Sequence, residues 1–363
     1  MAGFPFMKQA EAFRSSLPFI LLLAVFILPC PMSAAAKPRP AIAFVHLLLP
    51  PGGEPHASPA GWIGSLDRAR DTLESLRIPT IVSSASPRNA EDLNELSEMD
   101  PEVLITTSPL LYAAACDVAK RSPNTVFFAC TDETVHDNMS GFQARTYEAH
   151  YLAGLIAGAL SEDGVIGYLA NDPYQSKASR LRNANAFTLG AQKSKAAIRV
   201  LYAPGNDPDE ELKTLIAAGA DIVDLERALP SLVERLREHS VRYVGTAGRT
   251  VDPLCLAAPE WEWSNAFGDL LTQVRFGIWR PRNVSYGIKE GVVGLSPFGP
   301  AVPETVRVRV REAKEAIRNG ASPFEGPVRD VSGSLRIAEG SVPDDATLRG
   351  MDWRVQGLEP LPL

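Results

Sequence analysis

Residues 146–170, TYEAHYLAGLIAGALSEDGVIGYLA, decide the fold. Thr146 to Ser161 carry apolar side chains at helical spacing, and Val165 to Ala170 form a short run that is apolar nearly throughout. A helix feeding such a strand is one crossover of a parallel sheet covered on both faces. The same alternation precedes it: AIAFVHLLL (41–49), a helix from about Gly61 to Leu76, TIVSS (80–84), a helix near 89–98, EVLITTS (102–108), a helix from Leu110 to Arg121, TVFFACTD (125–132) and SGFQAR (140–145). It restarts after Arg145 and continues through a helix within 176–194, IRVLYAP (198–204), a helix 208–218, IVDLE (222–226), a helix 229–239 and RYVGTA (242–247). Two doubly wound α/β lobes are predicted. The remainder holds a helix in WEWSNAFGDLLTQVRFGIW, the extended SYGIKEGVVGLSPFG and a charged helix ended by Gly320. These cannot enclose a third core, so they complete the two lobes. The expected partition is 37–145 with about 253–290 in the first lobe, and 146–252 with about 291–363 in the second.

Composition narrows the function. Among 363 residues, 36 Lys and Arg face 43 Asp and Glu, giving a formal charge of −7 with no long basic run. A polynucleotide partner is therefore not expected, because neutralising a phosphate backbone needs clustered cations. At the N-terminus, Lys8 and Arg14 precede the apolar stretch Leu17 to Leu28, and Ala34 and Ala36 offer a cleavage site. This pattern predicts a secretory signal peptide over 1–36, since twelve apolar residues are too few to cross about 30 Å of hydrocarbon. Lipid attachment at Cys30 is the lesser reading, because Pro29 stands where a lipobox has a small residue. The expected location is the periplasm. Three cysteines follow, Cys116, Cys130 and Cys255, with no CxxC spacing to support a metal site.

Enzymatic signatures are missing from the sequence. No GxSxG, HExxH, GxxxxGK[ST] or GxGxxG occurs after the signal segment, and His46, His56, His136, His150 and His239 show no metal-ligand spacing. No cofactor, no metal and no catalytic residue is expected. In open α/β sheets ligands bind outside the carboxyl ends of the strands. The segments there include a Gly- and Pro-rich loop leading to Trp62, then Thr106-Thr107-Ser108 and Thr131-Asp132-Glu133.

Several motifs occur in a fixed order: Tyr147-Glu148 before the Ala- and Gly-rich helix, IGYLA, Asn185-Ala186-Phe187 with Gly190, SPFG, PFEGPVRD, and Met351-Asp352-Trp353 with Val355 and Gly357. Together they resemble the basic membrane protein family of ABC-transporter substrate-binding proteins, related to purine-nucleoside receptors, over roughly residues 40–360. The resemblance implies a type I periplasmic-binding fold, a hinge between the lobes, a small purine-like or related heterocyclic ligand, and an ABC permease in the inner membrane as partner. It also implies a receptor that works as a monomer and is not an enzyme. Carried over by motif, the ligand-binding positions are Trp62, Thr107, Ser108, Asp132, Asn185, Arg249 and Trp263. Two departures bear on the ligand. Where the family has His-Thr-Asp-Ser-Pro, this chain reads Glu226-Arg227-Ala228-Leu229-Pro230, and where it has Ser-Asp, this chain reads Gly248-Arg249. Both remove acceptors suited to sugar hydroxyls, leaving open a free base, another heterocycle or an anion. A ligand-sensing module coupled to a membrane signalling partner is the alternative to transport.

Overall fold

The computed structural model describes residues 40–47, 61–85, 91–131, 133, 136–172, 175–245 and 252–362. In the first half, strands β1 (Ile42–Leu47), β2 (Thr80–Ala85), β3 (Val103–Thr106), β4 (Val126–Cys130) and β5 (Met139–Ala144) alternate with helices α1 (Trp62–Ser75), α2 (Glu91–Glu98) and α3 (Tyr112–Ala119). The second half runs α4 (Thr146–Leu160), β6 (Val165–Leu169), α5 (Lys177–Ser194), β7 (Arg199–Ala203), α6 (Pro208–Ala217), β8 (Ile222–Leu225), α7 (Pro230–Glu238), β9 (Arg242–Gly245) and β10 (Cys255–Ala257). The tail supplies β11 (Pro259–Trp261), α8 (Ser264–Arg275), β12 (Asn283–Tyr286), β13 (Val293–Leu295) and α9 (Glu304–Arg318), then β14 (Val328–Arg329), β15 (Leu335–Ile337), α10 (Asp345–Arg349) and β16 (Leu358–Pro360).

Two six-stranded sheets result, in the orders β12-β5-β4-β3-β1-β2 and β10-β9-β8-β6-β7-β16. Every pairing within them is parallel. Both faces of β1 are covered: Ile42 and Phe44 join a cluster with α1 and α8, while Ala43, Val45 and Leu47 join one with α2 and α3. That double burial is why these strands lack polar alternation. The tail serves both sheets, since β12 lies beside β5 and β16 beside β7. The final residues therefore complete the second sheet. The crossing read at about residue 253 falls later, because β10 still pairs with β9 through Cys255 and Ala257.

The small-residue helix α4 packs against α5 at a distance only glycine permits. A Cβ on Gly154 would lie 2.0 Å from the Phe187 carbonyl oxygen, one on Gly158 2.2 Å from that of Ala191, and one on Gly190 2.1 Å from that of Tyr151. Asn185, also on α5, ties the two most diagnostic motifs together. Its Nδ2 donates to the Trp353 carbonyl at 2.8 Å, and its Oδ1 accepts the Val355 N–H at 2.9 Å.

Candidate ligand-binding site

At the carboxyl ends of β1 and β3 the sequence places His46, Thr107 and Ser108, and α1 opens on Trp62. Trp62 is half-buried, and its indole Nε1–H donates to the Thr107 carbonyl at 2.8 Å. The ring lies near-parallel to Phe142 at 6.4 Å between centroids, with Trp261 and Trp263 edge-on at 5.9 and 5.3 Å. Edge-to-face and offset contacts of this kind favour one ring orientation over others. Thr107 is almost fully buried, and its hydroxyl donates to the Val45 carbonyl at 3.1 Å. Ser108 caps the turn at Pro109–Leu111 by accepting the Leu110 N–H at 3.3 Å. His46 lies between Thr107 Oγ1 at 3.2 Å and Asp67 Oδ1 at 3.1 Å.

The second sheet presents a denser polar group. Tyr168 donates its hydroxyl to Glu226 at 2.9 Å, and His150 on α4 meets Asp224 on β8 at 3.1 Å. Asn171 bridges to the backbone of Arg227 with both amide atoms, at 2.8 Å each, so the segments after β6 and β8 are locked together. Burial pushes the Glu226 carboxyl up to about 8; nearby Asp172 and Asp224 push the same way, against His150 and the Tyr168 hydroxyl. For His150 burial works against the charged form, but Asp224, Glu226 and Asp172 together outweigh it and the imidazole is raised above its ordinary value. These groups had no signature in sequence, because they lie 54 to 74 residues apart in pairs.

Between the lobes, Arg145 gathers the crossing segments. Its guanidinium donates to Glu148 at 2.8 Å and to the Ser285 carbonyl at 2.9 Å, and it pairs with Glu290. Glu148 in turn accepts the Ile288 N–H at 2.6 Å. The Tyr-Glu motif at 147–148 is thus part of a clasp joining the passage from β5 to α4 with the one after β12.

The expected site residues fall into three groups. Trp62, Thr107 and Ser108 are brought together at one end of the first sheet. Asn185 and Trp263 are fully buried: the former holds the 351–355 segment, and the latter stacks on Phe267 at 5.5 Å behind Trp62. Neither side chain reaches the surface, and Thr107 and Ser108, at 1% exposed, are buried to nearly the same degree. Asp132 and Arg249 lie outside the described residues. Among the described residues, no group of His, Cys, Asp or Glu could hold a metal ion, and no helix is long and apolar enough to cross a membrane.

Comparison with known proteins gives this geometry its context. Residues 65–217 match the Bmp family, described as ABC transporter substrate-binding protein PnrA-like. The chain is 28% identical over 346 residues to a purine-binding protein of Brucella abortus, covering 90% of this chain and 95% of that protein. It is also 28% identical over 310 residues to a putative ABC transporter glucose-binding protein of Haloferax volcanii, covering 78% of each. An ABC transporter solute-binding protein from Conexibacter woesei superposes with a TM-score of 0.61 at 17% identity, over 77% of this chain and 97% of that one. One from Aeropyrum pernix gives 0.60 at 16%, over 85% and 95%. At such identities the likeness is one of fold. Ordered motifs, paired parallel sheets and these matches point the same way: the chain is similar to substrate-binding proteins of the Bmp, PnrA-like family of ABC transporters.

Proposed function

We propose that this protein is a periplasmic receptor that binds a purine-like heterocycle between its lobes and delivers it, as a monomer, to an ABC permease in the inner membrane. The observation that carries the ligand class is the half-buried indole of Trp62 at the carboxyl end of the first sheet, held by one hydrogen bond and backed by three aromatic rings. A planar base stacks on such a face, and base–aromatic stacking contributes about 1–3 kcal/mol. The Brucella relative, named as a purine-binding protein, supports the same reading. The replacement of acidic positions by Ala228 and Arg249 favours a free base over a nucleoside, because the acceptors for ribose hydroxyls are gone. The proposed ligand-binding set is Trp62, Thr107, Ser108, Asp132, Asn185, Arg249 and Trp263, with Trp263 edge-on to the Trp62 ring at 5.3 Å. The N-terminal 36 residues act as a cleaved signal peptide. Lobe closure about the Arg145 clasp would then enclose the ligand.

Native mass spectrometry of the purified protein, followed by calorimetry with adenine, hypoxanthine, adenosine and glucose, tests the reading. Binding of a base more tightly than its nucleoside is expected. Glucose binding without any purine binding would place the protein with its Haloferax relative instead.

A further inference from the structure

We infer that His46 and Asp67 are positioning residues of the ligand site, acting through Thr107 to fix the indole of Trp62. The inference rests on the purine reading for its ligand but not for its geometry. His46 ends the run of β1 side chains that face α1, and it is 6% exposed. Its Nε2 donates to Asp67 Oδ1 at 3.1 Å, which leaves Nδ1 an acceptor 3.2 Å from Thr107 Oγ1, whose one proton is shared between Nδ1 and the Val45 carbonyl. Asp67 lies one and a half turns along α1 from Trp62, so the carboxylate and the indole share one helix. Thr107 is held again by its N–H, which donates to Val45 O at 3.0 Å, the same carbonyl lying 3.1 Å from its hydroxyl. Its carbonyl accepts the Trp62 indole N–H at 2.8 Å. The result is a closed circuit: α1 carries Asp67 and Trp62, β1 carries His46 and Val45, and the end of β3 carries Thr107. Every link is a hydrogen bond of ordinary length between groups that are buried or partly buried.

The circuit has a chemical consequence for the ligand. With its N–H committed to Thr107, Trp62 presents ring surface and no donor, and the Thr107 hydroxyl likewise serves Val45 and His46. The first lobe therefore selects by ring shape and planarity at this point, and hydrogen-bond readout must come from other residues. Holding a ring in its bound orientation before the ligand arrives lowers the ordering cost of binding.

Substitutions at His46 separate positioning from mere packing, because the two amide side chains mimic different ring nitrogens. Asn can place its Oδ1 where Nδ1 stands, accept from the Thr107 hydroxyl and keep that contact. Gln can place its Nε2 near Asp67 and keep only that one. Adenine is titrated by calorimetry into wild type, His46→Asn, His46→Gln and Asp67→Asn, and indole N–H exchange of Trp62 is followed by NMR, the resonance being assigned with Trp62→Phe. His46→Asn is expected to bind adenine within about threefold of wild type, and His46→Gln about tenfold more weakly. Exchange at the Trp62 N–H should be faster in His46→Gln than in His46→Asn. Equal affinities and equal exchange in the two folded variants would overturn the inference. If wild type binds no purine, the purine reading fails, and the exchange comparison still decides the role of His46. Thermal melting of each variant identifies any that fails to fold, in which case Asp67→Asn, expected to raise exchange at Trp62, supplies the decision.

Discussion

Trp62 combines a conformationally fixed ring with partial exposure, and its removal isolates the stacking contribution. Trp62→Ala should weaken adenine binding by about 10- to 100-fold, measured by calorimetry, because stacking on an aromatic face is worth about 1–3 kcal/mol. An effect below twofold would mean that the ligand stacks elsewhere. A second residue-scale consequence concerns Glu226. Its carboxyl titrates near 8 in the folded protein against an ordinary 4.5. Between those values the unfolded chain releases this proton while the folded chain keeps it, so stability falls as pH rises through the window. His150, raised above its ordinary 6.5, contributes with the same sign as it loses its proton at higher pH. Urea unfolding at pH 5 to 8 should show that decline, and Glu226→Gln should flatten it, by at most about 1.4 kcal/mol per pH unit. An unchanged slope in the variant would show that the carboxyl is already ionised at pH 5. At this scale the sequence was partly legible. Trp62 stood out because an aromatic follows a Gly- and Pro-rich loop at a helix start. His46–Asp67 and Tyr168–Glu226 did not, because 21 and 58 residues separate the partners and no local spacing connects them.

Helix α4 makes the clearest claim at the scale of elements. Gly158 sits where a Cβ would come within 2.2 Å of the Ala191 carbonyl oxygen, and backbone cannot yield as a flexible side chain would. Gly158→Ala should therefore cost at least about 2 kcal/mol in urea unfolding, as overpacking does. Gly268, inside α8, has its nearest neighbour, Leu73 Cδ2, at 4.0 Å. Gly268→Ala should instead stabilise the protein by about 0.5–1 kcal/mol, since alanine restricts the unfolded chain and favours the helix. A Gly158→Ala variant as stable as wild type would show that the α4–α5 approach can relax without cost. Element type and order were legible throughout both lobes, because buried strands and amphipathic helices differ in period. Strands of two or three residues, such as β10 and β14, carry too few side chains to show any period. That is why the lobe crossing was placed several residues early.

At the scale of the whole molecule, two sheets share one chain through three passages, and Arg145 binds two of them by hydrogen bonds to Glu148 and the Ser285 carbonyl. Burial and paired charges oppose each other at Glu148: its carboxyl is raised above the usual range by burial, with the Ile288 N–H and Arg145 acting the other way. A clasp of that kind ties the passage from β5 to α4 to the one after β12. The two-lobe layout was evident from the rhythm restarting at Arg145. The clasp was not, because it joins residues 140 positions apart. In the proposed function a purine-like ligand draws the lobes together. Small-angle X-ray scattering during an adenine titration tests it most directly. The radius of gyration is expected to fall, saturating at the same adenine concentration as the calorimetric isotherm, and to stay unchanged in Trp62→Ala at that concentration. A radius that stays constant at saturating adenine would contradict it.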